Sequence, residues 1–143
     1  MNTTKLLAIA ALPALFFALP ARAENPDHVQ QLLETNACYA CDLSGADLSV
    51  THLIGADLRN ANLENAILVD ANLEGADLAG ANLQGAELDG AFLTNANFEN
   101  ANLDDVDLTN ATMYHANVDG ASMQDVNLTN AQVFGTNISV GGN

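Results

Sequence analysis

Two cysteines three residues apart, Cys38 and Cys41, and a run of carboxylates at Asp104, Asp105 and Asp107 carry the most chemistry in this sequence. A Cys-x-x-Cys pair can close as a structural disulfide, cycle as a redox dithiol, or supply half of a metal site. Redox cycling calls for basic neighbours or a helix N-terminus to lower a thiol pKa, and the charges near this pair are acidic. A zinc site could enlist His28 and His52, but their spacing matches no standard finger and a second Cys pair is missing. Carboxylates at the density of Asp104 to Asp107 collect Ca²⁺ weakly, whereas a selective site wants six to eight oxygens on a fixed loop. A solvated acidic face is the plainer reading. General acid-base catalysis needs paired carboxylates in a pocket, and no such pair stands out. We therefore expect no enzyme: no catalytic residue, no bound metal and no cofactor.

The compartment bears on the cysteines. Met1 to Lys5 supplies one positive charge, Leu6 to Leu19 is apolar apart from Pro13, and Ala21-Arg22-Ala23 has the small-x-small form of a signal-peptidase site. The run is too short to cross a bilayer, which takes about 20 apolar residues. Residues 1–23 are thus expected to be a signal peptide, with cleavage after Ala23 and no membrane segment in the mature form. Export favours the disulfide between Cys38 and Cys41. Cleavage removes Lys5 and Arg22, leaves Arg59 as the one Lys or Arg beside 18 acidic residues, and moves the formal charge from -15 to -17. Such a surface repels phosphates, which argues against direct nucleic-acid binding, and attracts cations or basic protein patches.

The elements that hold these residues follow from an internal repeat. From Leu43 in steps of five, every position to Ile138 is large and apolar, twenty in succession, with Phe98, Met113, Val118, Met123 and Val133 among the substitutes for Leu. Two residues earlier the side chain is small, mostly Ala, with Cys41, Thr51, Val106, Val126 and Thr136 as exceptions. Asp or Asn usually lies between, and Gly, Asn or Asp tends to end the repeat. A period of five fits neither the 3.6 of a helix nor the 2 of a flat strand. It fits a chain that buries two side chains per repeat and bends where residues tolerant of left-handed dihedrals stand. Four bends close a square coil, so residues 20 apart stack.

Tandem Ala-(Asp/Asn)-Leu-x-x over residues 41–140 resembles the pentapeptide-repeat family. The resemblance implies an all-β, right-handed quadrilateral β-helix, the repeat-five-residue fold, of about five coils. It says little about activity, since one fold hosts many roles. The order of signal peptide, short helix, Cys-x-x-Cys and Asp-Leu-Ser-Gly-Ala-Asp-Leu is similar to exported members from cyanobacteria, which implies periplasm or thylakoid lumen.

A solenoid must protect its two ends. In the segment 24–40, Asn25 suits an N-cap, Pro26 the first helical position and Asp27 the helix N-terminus, while Val29, Leu32 and Leu33 share a face. A capping helix over Pro26 to Thr35 is expected. At the other end Ile138 is followed by Ser139, Val140 and a tail of residues 141–143, which offers no cap. Val133 and Ile138 are thus expected to contact a protein partner or a second copy. On the sides, Ile54, Phe92, Tyr114 and Phe134 share one face, with Tyr114 20 residues from Phe134 and expected beneath it. Four large apolar residues on one side of an acidic rod suggest an interaction surface, and Ile67 and Val69 make a smaller spot on the preceding face. The sequence thus reads as an exported interaction module, with a DNA-mimicking gyrase-interacting protein and a weak Ca²⁺-binding acidic protein as alternatives.

Overall fold

The computed structural model describes residues 24–138. The expected signal peptide 1–23, the tail 141–143 and residues 139–140 lie outside them. Sixteen parallel bridges, each joining residues 20 apart, run from Ala37–Asp57 to Thr112–Gln132. Each repeat is too short to form a longer strand, because the chain turns after every bridge. The backbone compensates by bonding between coils: Leu63 N–H donates to Asn82 O (2.7 Å), Asn65 N–H to Gln84 O (2.9 Å), and Asn82 N–H returns to Ala61 O (2.9 Å). Within the repeat, Ala66 N–H donates to Leu63 O (3.0 Å) and closes the turn.

The four columns of Leu-type residues, headed by Leu43, Leu48, Leu53 and Leu58, define faces 1 to 4 of the rod. Together with the Ala slots they fill the interior, and through Met113 these positions are almost wholly buried. Among the described residues no polar or charged side chain is buried. Face 4 carries the one large replacement: Phe98, fully buried, lies between Leu78 and the smaller Val118, so added volume meets removed volume.

The corners are left-handed, and their residues are chosen for that reason. At Gly75 (φ +66°) an added Cβ would have no neighbour within 4 Å, so only the dihedral demands glycine. At Gly90 (φ +69°) the Cβ would also lie 2.3 Å from Asp70 Oδ1 of the coil below. Gly75→Ala is expected to cost about 1–2 kcal/mol for the dihedral alone. Gly90→Ala should cost roughly 0.5–1.5 kcal/mol more, because Asp70 must leave its rotamer. Equal urea midpoints for the two variants would contradict the close approach.

At the N-terminal end the coil geometry begins at Asn36, one repeat ahead of the expected boundary at Cys41. Ala37 bridges to Asp57, Cys38 is buried in the slot below Leu58, and Ala40 turns the corner at φ +53°. The consensus hid this repeat because a cysteine stands where Leu is usual. Preceding it, helix α1 spans Pro26–Thr35, capped by the Asn25 side chain, which accepts from Asp27 N–H (3.1 Å), and ended by Asn36 at φ +56°. Leu32 is the helix residue driven wholly into the core, with Val29 beside it.

Candidate interaction surfaces

The first coil has no coil beneath it, so α1 and its C-cap supply substitute partners. Asp42 N–H donates to His28 Nδ1 (3.0 Å), Gln31 Nε2 donates to Ala37 O (3.0 Å), and Asn36 Nδ2 to Ile54 O (2.8 Å). In the rod interior these positions bond to a neighbouring coil. Cys38 and Cys41 are joined at the junction of helix and coil (S–S 1.99 Å, Cα–Cα 5.3 Å), both buried. With Cys38 in a Leu-type slot and Cys41 in an Ala slot, the bridge ties two inward-facing positions and offers no sulfur to solvent.

Outward-facing polar residues form ladders. On face 1, Asn102 donates to Asn82 (3.1 Å), Asn82 to Asn62 (3.2 Å) and Asn62 to the carboxylate of Asp42 (3.2 Å). On face 4, Asn117 donates to Asn97 (3.0 Å) and Asn97 to Asp77 (3.0 Å). Each ladder ends at the coil where Asp replaces Asn, since a carboxylate accepts without needing an acceptor below. The Ser44 hydroxyl and N–H, and then Asn62, hold the Asp42 carboxyl below the usual range.

Face 4 also carries the one cation among residues 24–138, Arg59. Its guanidinium forks onto Asp57 (2.8 and 2.7 Å), approaches Asp77 at 3.8 Å and lies over the Tyr39 ring at 5.5 Å. The Arg59 hydrogen bond lowers the Asp57 pKa, and Asp57 raises that of Arg59. An open groove of about 440 Å³ runs past Tyr39, Arg59, Asn60, Gly80 and Glu99. In the Asp104 cluster, that carboxylate accepts from Ser122 Oγ (2.6 Å) and Gln124 N–H (2.8 Å), which lower its pKa. Among the described residues no group of three or more His, Cys, Asp or Glu is arranged to hold a metal ion.

Face 3 differs from the others. Of the solenoid carboxylates, faces 1 and 2 carry five each, face 4 four and face 3 only Glu74. Ile54 (53% exposed), Phe92 (50%) and Phe134 (69%) project from it, and Tyr114 is half-buried. The expected stack of Tyr114 beneath Phe134 is not what forms. Phe134 meets His115 edge-on (5.6 Å between ring centroids), and the Tyr114 hydroxyl donates to Gln132. Residues 20 apart share a slot, but a free phenol hydroxyl takes a polar partner before a ring. Val50, on the corner between faces 2 and 3, was not singled out from the sequence: it is 67% exposed and left-handed (φ +59°), unusual for a β-branched residue.

At the C-terminal end the same columns emerge from burial. Met123, Leu128, Val133 and Ile138 are only partly buried, against full burial of their counterparts below. The last bridge is at Gln132, and Asn137 meets the rod by donating from its side chain to Asp119 (3.2 Å).

The family model for pentapeptide repeats matches this chain in overlapping segments from 41–78 to 101–139. A solved pentapeptide repeat protein from the Arabidopsis thaliana thylakoid lumen is 34% identical, with a TM-score of 0.54 over 64% of this chain and 61% of that one. This chain thus covers about three-fifths of that protein's length. A pentapeptide repeat protein from Nostoc Pcc 7120 is 26% identical, with a TM-score of 0.62 over 77% of this chain and 95% of that one. QnrB1, a plasmid-mediated fluoroquinolone resistance protein, is 21% identical over 70% of this chain and 61% of its own (TM-score 0.54), a likeness of fold alone. Among curated proteins none matches.

Proposed function

The chain belongs to the pentapeptide-repeat family, whose fold is a right-handed β-helix, and from that premise we propose that it is a non-enzymatic docking rod working outside the cytoplasm. The observation that carries this reading is the inequality of its ends. Among the described residues the first coil is closed by Leu32, His28, Gln31 and Asn36, while in the last coil Met123, Leu128, Val133 and Ile138 are half-covered. A half-covered apolar column is a template for another surface. A second copy meeting it through its own C-terminal end makes a closed two-fold pair, whereas head-to-tail growth is blocked by the helix.

Export into periplasm or thylakoid lumen is supported by the leader-like residues 1–23, the Cys38–Cys41 bridge and the likeness to a lumenal protein. The rival reading as a DNA mimic wants acidic charge around the rod, and face 3, with Glu74 alone, interrupts it. Sedimentation over a range of concentrations tests the pairing. The protein is expected to shift from monomer towards dimer, and Val133→Asp to remain monomeric, because a charge there would be desolvated at the contact. A concentration-independent monomer with Val133 intact removes the self-docking reading.

A further inference from the structure

Resting on the reading of this protein as a docking rod, we propose that face 3 is a second docking surface, separate from the C-terminal end, and that its occupant is a cationic amphipathic helix. Three observations meet on this face. It has one carboxylate where the other faces have four or five. It holds Ile54, Phe92 and Phe134, each at least half exposed, with Val50 on its edge. One of its corners holds a residue that fits a left-handed bend poorly, the β-branched Val50 at φ +59°. Most other corners use Gly, Asn or Asp, so the side chain at Val50 is kept at a conformational cost. His115 holds the Phe134 ring edge-on, which fixes an exposed aromatic in place.

The charge pattern selects the occupant. A face with exposed apolar residues and Glu74 as its one carboxylate, flanked on both sides by more acidic faces, complements an apolar stripe flanked by Lys or Arg. Dimensions agree: Ile54 and Phe134 are four coil spacings of about 4.8 Å apart, about 19 Å in all, which a helix of roughly 13 residues spans at about 1.5 Å per residue. A helix laid along face 3 has Asp70 and Asp89 of face 2 on one side and Asp77 and Glu99 of face 4 on the other. A second copy fits less well, since its own flanking acidic faces would oppose these.

The test uses an 18-residue Leu/Lys peptide with helical spacing and a Lys/Ser peptide of equal charge, titrated calorimetrically at physiological salt. The Leu/Lys peptide is expected to bind at least 10-fold more tightly than the Lys/Ser peptide and to become helical. Its hydrogen-exchange footprint should fall on face 3. Phe92→Ser with Phe134→Ser should weaken it 10-fold or more, while Tyr39→Ser on face 4 should leave it unchanged; a melt verifies that each variant folds. Equal affinity for both peptides, or a footprint spread over faces 1, 2 and 4, reduces the effect to charge attraction and overturns the proposal. So does loss of self-association in the Phe92→Ser variant alone, which leaves the last coil intact and would assign face 3 to a second copy. Sedimentation without peptide reads the C-terminal pairing on its own, so failure at face 3 does not count against it.

Discussion

Phe98→Ala is expected to destabilise the rod by about 3–5 kcal/mol, the upper range for a single core truncation. Phe98 is fully buried in the middle of face 4, between Leu78 below and Val118 above. A Leu column in a narrow coil cannot collapse around a missing ring, because each backbone is fixed by bonds to the coils above and below. Asn100 N–H holds to Asp119 O (2.9 Å) and Asn97 N–H to Ala76 O (2.9 Å) on either side of the ring. The cavity therefore stays open, and its cost adds to the lost transfer energy. Phe98→Leu restores the repeat consensus but faces a Val118 already reduced in volume, so it too should destabilise, by roughly 1 kcal/mol. Adding Val118→Leu to Phe98→Leu should recover most of that loss, a coupling between neighbours that independent sites would not show. Urea midpoints of the two single variants and the double variant provide the check. A loss under 1 kcal/mol for Phe98→Ala would mean the column is loosely filled.

The rod itself was legible in the sequence because each repeat states the same requirement in the same order. A small residue, an Asx, a large apolar residue and a turn residue recur at fixed spacing, so the register of Leu43 to Ile138 needs no tertiary information. The helix start was legible at Asn25 and Pro26 for a similar reason, since capping chemistry is local. What escaped depends on contacts between coils. Cys38 reads as half of a Cys-x-x-Cys motif, and only the bridge from Ala37 to Asp57 shows that it also fills a Leu-type slot. His28, Gln31 and Asn36 read as ordinary polar residues, yet they complete the first coil, which nothing in their local sequence announces. Tyr114 and Phe134 share a slot in the repeat, yet the Tyr114 hydroxyl bonds to Gln132 and the Phe134 ring meets His115, contacts that the repeat does not state. For the candidate surfaces, the sequence named Ile54, Phe92 and Phe134, which are exposed, and Tyr114, which is half-buried, and missed Val50, because the apolar pattern concerns inward slots while strain appears only in the backbone angle.

Leu32→Ala should uncouple the helix from the rod, at a cost of about 2–5 kcal/mol confined to the N-terminal end. Leu32 is the one helix residue fully inside the core, and it holds His28 and Gln31 over Asp42 and Ala37. Once the helix lifts, those groups face water. A loss near 2.8 kcal/mol speeds local opening about 100-fold, so hydrogen exchange at Asp42 should accelerate by about that factor. Leu83 and Leu93, in the middle of the rod, should exchange as before, since coils interact chiefly with their neighbours. Reducing Cys38–Cys41 should do less, because so short a loop hardly restricts the unfolded chain. Uniform acceleration along the rod would instead mean that it opens as one unit. Lifting the helix also changes what can assemble. With the first coil uncovered, one copy's C-terminal coil can meet the next copy's first coil, a head-to-tail contact that does not close. The Leu32→Ala variant is therefore expected to grow past the dimer with concentration, and adding Val133→Asp should stop the growth. Were Leu32→Ala to stop at the same size as the parent protein, the helix would be anchoring the first coil without limiting assembly.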